Sequence, residues 1–327
     1  RYIHSVSAIV GGVSKPITEA DRLAILERSK RSVDFAKESL ALFDEIVLGN
    51  PAYVEMITSD AYAHQTYYMG LVDENNHVNF YDGKVRVVSP TGKELVKYAP
   101  DEYLDVIAEH IEPWTYLKFP YLKEIGWKGF VDGEDSGVYR ASPLSRLNAA
   151  DGMATPEAQK MYERFFDTLG GKPVHSTLAT HWARLIEILY AAERAVELAS
   201  DDTITDPHVH TIPTETPTEG IAIVEAPRGT LTHHYKTDER GLVQAVNLIV
   251  GTTNNYAAID MSIVKAAKNL IKAGQKVTDG ALNKIEMAFR AYDPCLGCAT
   301  HSQPGETPLK IKLFDHHHNL IEEIRRD

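Results

Sequence analysis

Two cysteines, Cys295 and Cys298, are the only ones in this chain of 327 residues, and they stand three positions apart in the stretch DPCLGCATH. A chain of this length with a single close pair has no disulfide framework, so a hydrophobic core must stabilise it. Hydrophobic residues make up 43% of the sequence, which is enough for one large domain or two ordinary ones. The low cysteine count also fits a reducing environment, and we expect a cytoplasmic protein.

The net charge and the apolar runs argue against two classes of partner. A net charge of −12 makes nucleic acid and anionic membranes poor partners. No apolar run approaches the roughly 18–20 residues that span a bilayer, and the opening RYIHSVSAIVGG lacks the apolar core of a signal peptide. We therefore predict neither nucleic-acid binding nor membrane insertion. The first residue is Arg1 rather than Met, and we expect a truncated or processed N-terminus.

Hydrophobic periodicity predicts a mainly α-helical fold with small antiparallel β insertions. The predicted helices cover residues 18–48, 101–117, 175–200, 262–274 and 279–292. The predicted strands lie in residues 77–95, as a hairpin around Asp82-Gly83, in residues 221–251 around a turn at 238–241, and in the tail 308–327. A polar, proline-rich linker occupies residues 201–220.

The cysteine spacing alone leaves several kinds of site open. Zinc knuckles, thioredoxin-like redox sites and iron–sulfur clusters all use Cys-x-x-Cys. A thioredoxin motif would need a βαβ setting, whereas this pair follows a predicted helix. For a structural zinc site, His301 could be a third ligand and no fourth is evident. On spacing alone, metal ligation and a plain structural role both remain open.

Two motifs together are more specific than the cysteine spacing. EAPRG (225–229) and DPCLGCATH resemble the paired signatures of the large subunit of [NiFe] hydrogenases. TLTHHY, NLIVGTTNN and IEMAFRAYDPCLGCATHSQPGETPL resemble the cytoplasmic, methyl-viologen-reducing subgroup that partners heterodisulfide reductase. RYIHSVSAIVGGVSK, RASPLSRLN and HSTLATHWARLIEILYAAE are also similar to the family, although Ser5 and Val10 stand where prolines are usual. The resemblance covers nearly the whole chain and implies the large-subunit fold of these enzymes.

The resemblance implies reversible heterolytic oxidation of dihydrogen at a thiolate-bound Ni–Fe centre. Its implied cofactors are that centre, with carbon monoxide and cyanide on iron, and a nearby Mg²⁺. Electrons would pass to an iron–sulfur small subunit, because this chain has no spare cysteines for clusters. The other implied partners are an electron-transfer subunit, heterodisulfide reductase and a maturation endopeptidase.

The family also carries a second cysteine pair near its N-terminus, and Arg1 lies past that position. We therefore expect residues 1–301 to be the C-terminal two-thirds of the catalytic domain, inactive as a fragment. Residues 302–327 would be an extension that the endopeptidase removes.

The resemblance assigns four residues to the reaction. Cys295 matches the terminal nickel ligand and a candidate base, and Cys298 matches the ligand that bridges nickel and iron. Arg228 matches the guanidinium over the open metal position, where a fixed cation can polarise dihydrogen or help to split it. The released proton would leave on Cys295 or on the Arg228 guanidine. Asp293 matches the carboxylate that orients Arg228. Without the resemblance, Arg228 would be read as an ordinary ion pair and Asp293 as a turn residue before proline.

Further residues are assigned to the surroundings of the metal. Pro227 should line the pocket around the diatomic ligands, and Thr252 should donate its hydroxyl to a cyanide, although Thr253 remains an alternative donor and either could simply cap a strand end. His301 and the backbone carbonyl of Leu231 match ligands of magnesium.

The remaining histidines are interpreted more simply. We expect a solvated turn at residues 316–318 and a packed, hydrogen-bonded pair at His233 and His234. His4 would hydrogen-bond near the site or pack in the core.

Two other functions compete with the hydrogenase interpretation. One is a relative with the same fold but no nickel chemistry, like the quinone-site subunit of respiratory complex I, and intact Cys295 and Cys298 speak against it. The other is a non-enzymatic zinc-binding module, which would have no need for EAPRG.

Overall fold

The computed structural model describes residues 8–274, 276–300 and 309–326. Its helices are α1 (Glu19–Phe43), α2 (Pro51–Thr58), α3 (Tyr103–Val106), α4 (Pro143–Ala149), α5 (Pro156–Thr168), α6 (Thr180–Ser200), α7 (Tyr256–Leu270), α8 (Asp279–Arg290) and α9 (Leu296–Thr300). Its strands are β1 (Ala8–Ile9), β2 (Gly12–Val13), β3 (Tyr67–Val72), β4 (His77–Val78), β5 (Lys84–Val88), β6 (Glu94–Tyr98), β7 (Ile107–Ile111), β8 (Lys118–Leu122), β9 (Tyr139–Arg140), β10 (Gly152–Met153), β11 (Glu219–Ala226), β12 (Gly229–Thr237), β13 (Val243–Ile249), β14 (Leu309–Phe314) and β15 (Leu320–Arg326). This mainly helical architecture with small sheets confirms the predicted fold class.

Helices α1, α5 and α6 surround the largest hydrophobic core. Thr18 begins α1 with a reciprocal capping box, in which its hydroxyl accepts from the Asp21 N–H and the Asp21 carboxylate accepts from the Thr18 N–H. A π-helical turn at Asp44–Leu48 follows, and Gly49 ends the segment. The α6 residue Trp182 is 1% exposed and packs its ring 5.2 Å from that of Phe165. The helices predicted over residues 18–48 and 175–200 are therefore confirmed. The second one is α6, which begins at Thr180 after a 3₁₀ turn at Thr177–Ala179.

The largest sheet has the strand order β10-β4-β3-β5-β6, with β9 also paired to β3. The predicted hairpin around Asp82-Gly83 is wrong, because β4 pairs with β3 and β10 whereas β5 pairs with β3 and β6. The central strand β3 is buried at all six residues and is the shared partner. Gly83 has φ +107°, and a Cβ there would overlap the Val72 carbonyl oxygen, so glycine lets β5 start beside the end of β3.

The helix predicted over residues 101–117 is also wrong. A 3₁₀ turn at Pro100–Glu102 and the short α3 lead directly into β7, which pairs antiparallel with β8. The β-branched Ile107 and Ile111 favour a strand, and Pro113 prevents the helix from continuing. Pairing with β8 therefore overrides the local helical pattern.

A three-stranded antiparallel sheet, β11-β12-β13, carries the first motif. Ala226 pairs with Gly229, so Pro227 and Arg228 form the two-residue connection between β11 and β12. The predicted turn at residues 238–241 joins β12 to β13, and α8 lies within the predicted residues 279–292. Helix α7 overlaps the helix predicted over residues 262–274 but begins earlier, at Tyr256, and ends at Leu270. The tail forms the predicted hairpin of β14 and β15. Among the helices of the described residues, none is long and apolar enough to cross a membrane.

Candidate functional site

The EAPRG motif forms a tight connection that is pressed against the chain at Ala141. Gly229 has φ +149°, and a Cβ there would overlap the Ala141 carbonyl oxygen. Only glycine adopts this conformation readily and allows so close an approach. Gly229 therefore allows the turn to pack against Ala141, and this packing sets the position of the Arg228 backbone.

Arg228 and Asp293 meet although 65 positions separate them in the chain. Helix α8 ends at Arg290, and Asp293 then adopts φ +50°, a left-handed conformation uncommon for residues other than glycine. The Arg228 Nε donates to the Asp293 backbone carbonyl at 2.5 Å and lies 3.1 Å from its carboxylate. The ion pair expected between these residues is present, while their roles in a reaction stay predictions.

The cysteine loop lies against the segment that contains Thr252. The backbone N–H of Cys295 donates to the Thr252 hydroxyl at 3.1 Å, and Thr252 is 4% exposed. Thr253 is also buried and begins a 3₁₀ turn. Of these two threonines, Thr252 is the one whose hydroxyl accepts a hydrogen bond from the cysteine loop among the described contacts.

The structure joins Cys295 and Cys298 in a disulfide, with their Cα atoms 5.4 Å apart. Metal ligation requires thiolates, so the ligand prediction concerns the reduced form of this pair and stays a prediction. The three-residue spacing brings both sulfur atoms to one point. Two soft donors at one point, with the Arg228 guanidinium hydrogen-bonded to their loop at Asp293, fit part of a nickel or iron site.

Asn255 links the turn between β11 and β12 to the backbone at Gly251 and at Ala141 through hydrogen bonds. Its Nδ2 donates to the backbone carbonyls of Arg228 and Gly251, each at 3.0 Å, and its Oδ1 accepts from the Ala141 N–H at 2.9 Å. Asn255 is 1% exposed, so its amide replaces water for backbone groups that would otherwise be buried unpaired. The sequence interpretation gave this residue no role, and the paired asparagines of NLIVGTTNN were the only signal.

Arg146 of α4 also binds the backbone of the turn between β11 and β12. Its guanidinium donates twice to the Glu187 carboxylate at 2.6 Å, once to Glu225 at 2.8 Å, and to the Ala226 and Pro227 carbonyls at 2.9 and 3.4 Å.

The carboxylate of Glu225 is fully enclosed. It also accepts from the Leu71 N–H and the Thr230 hydroxyl. Burial raises the pKa of Glu225, and Arg146 is the largest opposing influence. The glutamate of EAPRG therefore belongs to a buried charge network, a role that the sequence interpretation missed.

A cleft of about 200 Å³ opens beside this network. Its lining is mostly apolar and includes Pro227, Phe80 and Ile188, with Arg146 and Arg184 at its walls. Pro227 therefore lines a small apolar space, and its place beside diatomic ligands stays a prediction.

The proposed magnesium ligands are only partly within the described chain. Leu231 lies in β12 opposite Val224. His301 lies outside the described residues, as does His4. Among residues 8–274, 276–300 and 309–326, no three His, Cys, Asp or Glu side chains converge as a metal site.

The remaining histidine expectations are confirmed. His234 is buried and hydrogen-bonds to Tyr103 and Glu219, and His233 lies 3.1 Å from the Tyr235 hydroxyl. Residues 316–318 form the exposed turn between β14 and β15.

The sequence profile of nickel-dependent hydrogenases matches residues 55–301, which include both motifs and the segments that hold them. The chain belongs to the nickel-dependent hydrogenase family. An iron-sulfur subunit of an F420-non-reducing hydrogenase from Archaeoglobus profundus is 45% identical over 325 residues, covering 99% of this chain and 67% of the relative. A vhc subunit of an F420-non-reducing hydrogenase from Methanococcus voltae is 43% identical, covering 96% of this chain and 64% of that relative.

A solved hydrogenase structure agrees with these relatives. An NAD⁺-reducing [NiFe]-hydrogenase in the H2-reduced state superposes with a TM-score of 0.80 at 36% identity, over 90% of this chain and 63% of that one. The chain thus spans about two thirds of the length of the hydrogenases it matches. These matches give no support to a complex I relative or to a zinc-binding module.

Proposed function

We propose that this chain belongs to a [NiFe] hydrogenase large subunit that oxidises dihydrogen reversibly and heterolytically. The observation that carries the proposal is the contact of Arg228 with Asp293, two residues before Cys295. The hydrogenases reported above support it, because they match the chain through both motifs. When bound, a nickel–iron centre would supply the open metal position at which dihydrogen is polarised and cleaved.

The side chains of this chain divide the remaining work. The thiolates of Cys295 and Cys298 would hold the metals, since soft donors suit redox-active nickel. The Cys295 sulfur would take up the proton released from dihydrogen. A guanidinium keeps its own proton in proteins, so Arg228 would act as a fixed cation that polarises the substrate. Asp293 would hold that cation in place through its carbonyl and carboxylate.

The diatomic ligands and magnesium belong to the same proposal. Thr252 accepts from the Cys295 N–H and keeps its own O–H for donation to a cyanide nitrogen, which favours it over Thr253. Pro227 would face carbon monoxide and cyanide from the rim of the apolar cleft. His301 and the Leu231 carbonyl would bind Mg²⁺.

The finer assignments concern assembly. We propose a cytoplasmic enzyme of the methyl-viologen-reducing subgroup that passes electrons to an iron–sulfur small subunit, and through an electron-transfer subunit to heterodisulfide reductase. Residues 1–301 would belong to the catalytic domain. A maturation endopeptidase would remove residues 302–327.

The test uses the full-length protein in its native complex. Wild type should contain nickel and iron and reduce methyl viologen under dihydrogen. Cys295→Ser should lose nickel. Arg228→Lys should keep nickel but lower kcat about 10²-fold, as removal of a preorganised transition-state donor does. Arg240→Gln, in an exposed pair with Asp238, is the matched control and should behave as wild type.

Two results would contradict the proposal. A complex that binds one zinc and no nickel would favour the zinc-binding module. A folded complex with neither nickel nor dihydrogen oxidation would favour a relative that has lost the metal chemistry.

A further inference from the structure

Helix α6 carries two charged side chains that reach both motif segments. Arg184 and Glu187 are three positions apart, so they share one face of the helix. Arg184 reaches the loop that contains Asp293, and Glu187 reaches the connection that contains Arg228 through Arg146. Neither residue touches the cysteines in a described contact.

Arg184 caps the end of α8. Its Nη2 donates to the Ala291 carbonyl at 2.9 Å, one of the carbonyls left without a helical partner at the C-terminus. A cation is favourable there because the helix end carries partial negative charge. Its Nη1 lies 3.4 Å from His181 Nδ1 on the preceding turn of α6. Burial lowers the pKa of Arg184, and the Asp293 carboxylate is the largest opposing influence. The loop is thus held by Arg184 at Ala291 and by Arg228 at Asp293.

Glu187 acts, through Arg146, on the connection between β11 and β12. It is 6% exposed and accepts both hydrogen bonds of a bidentate pair with Arg146. A bidentate pair fixes the plane of the guanidinium as well as its position. Arg146 then donates to the carbonyls of Ala226 and Pro227, the residues that precede Arg228.

We propose that α6 sets the position of the two motif segments relative to each other. Arg184 is a positioning residue for the loop of Asp293, and Glu187 is a positioning residue, through Arg146, for Pro227 and Arg228. The inference rests on the proposed function, since the geometry being set is that of the Arg228–Asp293 pair. It assigns to α6 a role beyond its packing against α1 and α5.

The experiment compares Arg184→Gln and Glu187→Gln in the full-length complex. Amide hydrogen exchange is measured on protein produced without nickel, and dihydrogen-dependent reduction of methyl viologen on the loaded enzyme. Arg194→Gln is the matched control, because Arg194 lies on α6 and its hydrogen bonds within the described part of the chain go to Tyr81 and Glu197. Arg184→Lys tests rescue, since an ammonium can still donate to the Ala291 carbonyl.

A positioning role predicts a selective pattern. Arg184→Gln should raise exchange about tenfold in residues 291–298 and leave residues 226–229 unchanged, and Glu187→Gln should do the reverse. Both should lower kcat about tenfold, corresponding to about 1.4 kcal/mol in the barrier. Arg184→Lys should restore exchange and most of kcat, while Arg194→Gln should match wild type throughout.

Other outcomes separate the two proposals. Equal loosening of both segments by each variant, or exchange in Arg184→Gln that matches Arg194→Gln, would overturn the positioning role. Failure of the wild-type complex to oxidise dihydrogen would overturn the proposed function. The exchange pattern on nickel-free protein would then still decide whether α6 positions the segments.

Discussion

Replacing Arg146 by methionine should destabilise the chain more than any surface charge change, because it leaves two buried carboxylates without their cation. Arg146 is 2% exposed and makes three charge-assisted hydrogen bonds, at 2.6, 2.6 and 2.8 Å, to Glu187 and Glu225. Removing one partner of such a buried network costs roughly 3–5 kcal/mol in the free energy of unfolding. We expect a loss in that range for Arg146→Met at pH 8.

The same variant should depend on pH in a defined direction. Burial already raises the pKa of Glu225, and without Arg146 that pKa should rise further. A carboxyl whose pKa is higher in the folded state binds more protons there, so stability falls as the pH rises from about 4.5 through the folded pKa. The loss caused by Arg146→Met should therefore be smaller at pH 5 than at pH 8.

The assay is urea unfolding followed by circular dichroism at pH 5, 6.5 and 8, in reducing buffer. Arg164→Met is the matched control. Arg164 makes a bidentate pair with Asp44 but is 42% exposed, so its loss should cost less than about 1 kcal/mol. The reasoning is refuted if Arg146→Met stays within about 1 kcal/mol of wild type at pH 8, or if its loss does not shrink at pH 5.

Two further predictions concern the backbone at the first motif and a buried histidine. Gly229→Ala should lower the melting temperature by at least about 5 °C, because Gly229 has φ +149° and a Cβ there would overlap the Ala141 carbonyl oxygen. Gly220 has open space around it, so Gly220→Ala should melt as wild type. Equal melting temperatures for the two variants would contradict this account. Burial and then Arg140 lower the pKa of His175 to about 4, so the folded state binds fewer protons and stability should fall as the pH drops from 6.5 towards 4. His175→Gln should make that fall less steep in a pH series of melts, while His64 and His181, whose pKa burial also lowers, keep part of it. An unchanged slope would exclude His175 as a source.

Helices α1, α6 and α8 were predictable because their signals are local, whereas α2, α4 and α5 were missed. Thr18 and Asp21 cap α1 within one turn, and the apolar spacing of α6 matches the face that is buried around Trp182. The strand β3 was missed because it is buried on both faces and shows no alternation. Without β3, residues 77–95 had no visible partner except each other, which led to the wrong hairpin.

In the candidate site too, one contact was anticipated and the groups that support it were missed. The contact of Arg228 with Asp293 was anticipated only through resemblance, since 65 positions separate the two residues. The buried groups that hold them were missed. Arg146 is paired with Glu187 and Glu225 at separations of 41 and 79 positions, and no local pattern marks such partners. Buried polar networks depend on the tertiary fold and are visible only once it is known.

The ion pair between the Arg228 and Asp293 side chains is too weak to fix its geometry by itself, so the contact of Arg228 with the Asp293 loop needs support from other groups. Its side chains are 38% and 49% exposed, and an exposed ion pair contributes about 0–1 kcal/mol, too little to fix a side chain against thermal motion. Asn255, Arg146 and Arg184 instead bind the backbone carbonyls of Arg228, Pro227 and Ala291, respectively. Groups that bind backbone fix where a side chain originates while leaving its charged end accessible. The role proposed for Arg228 would need that combination, because a cation that polarises a substrate must be placed accurately and still reach it.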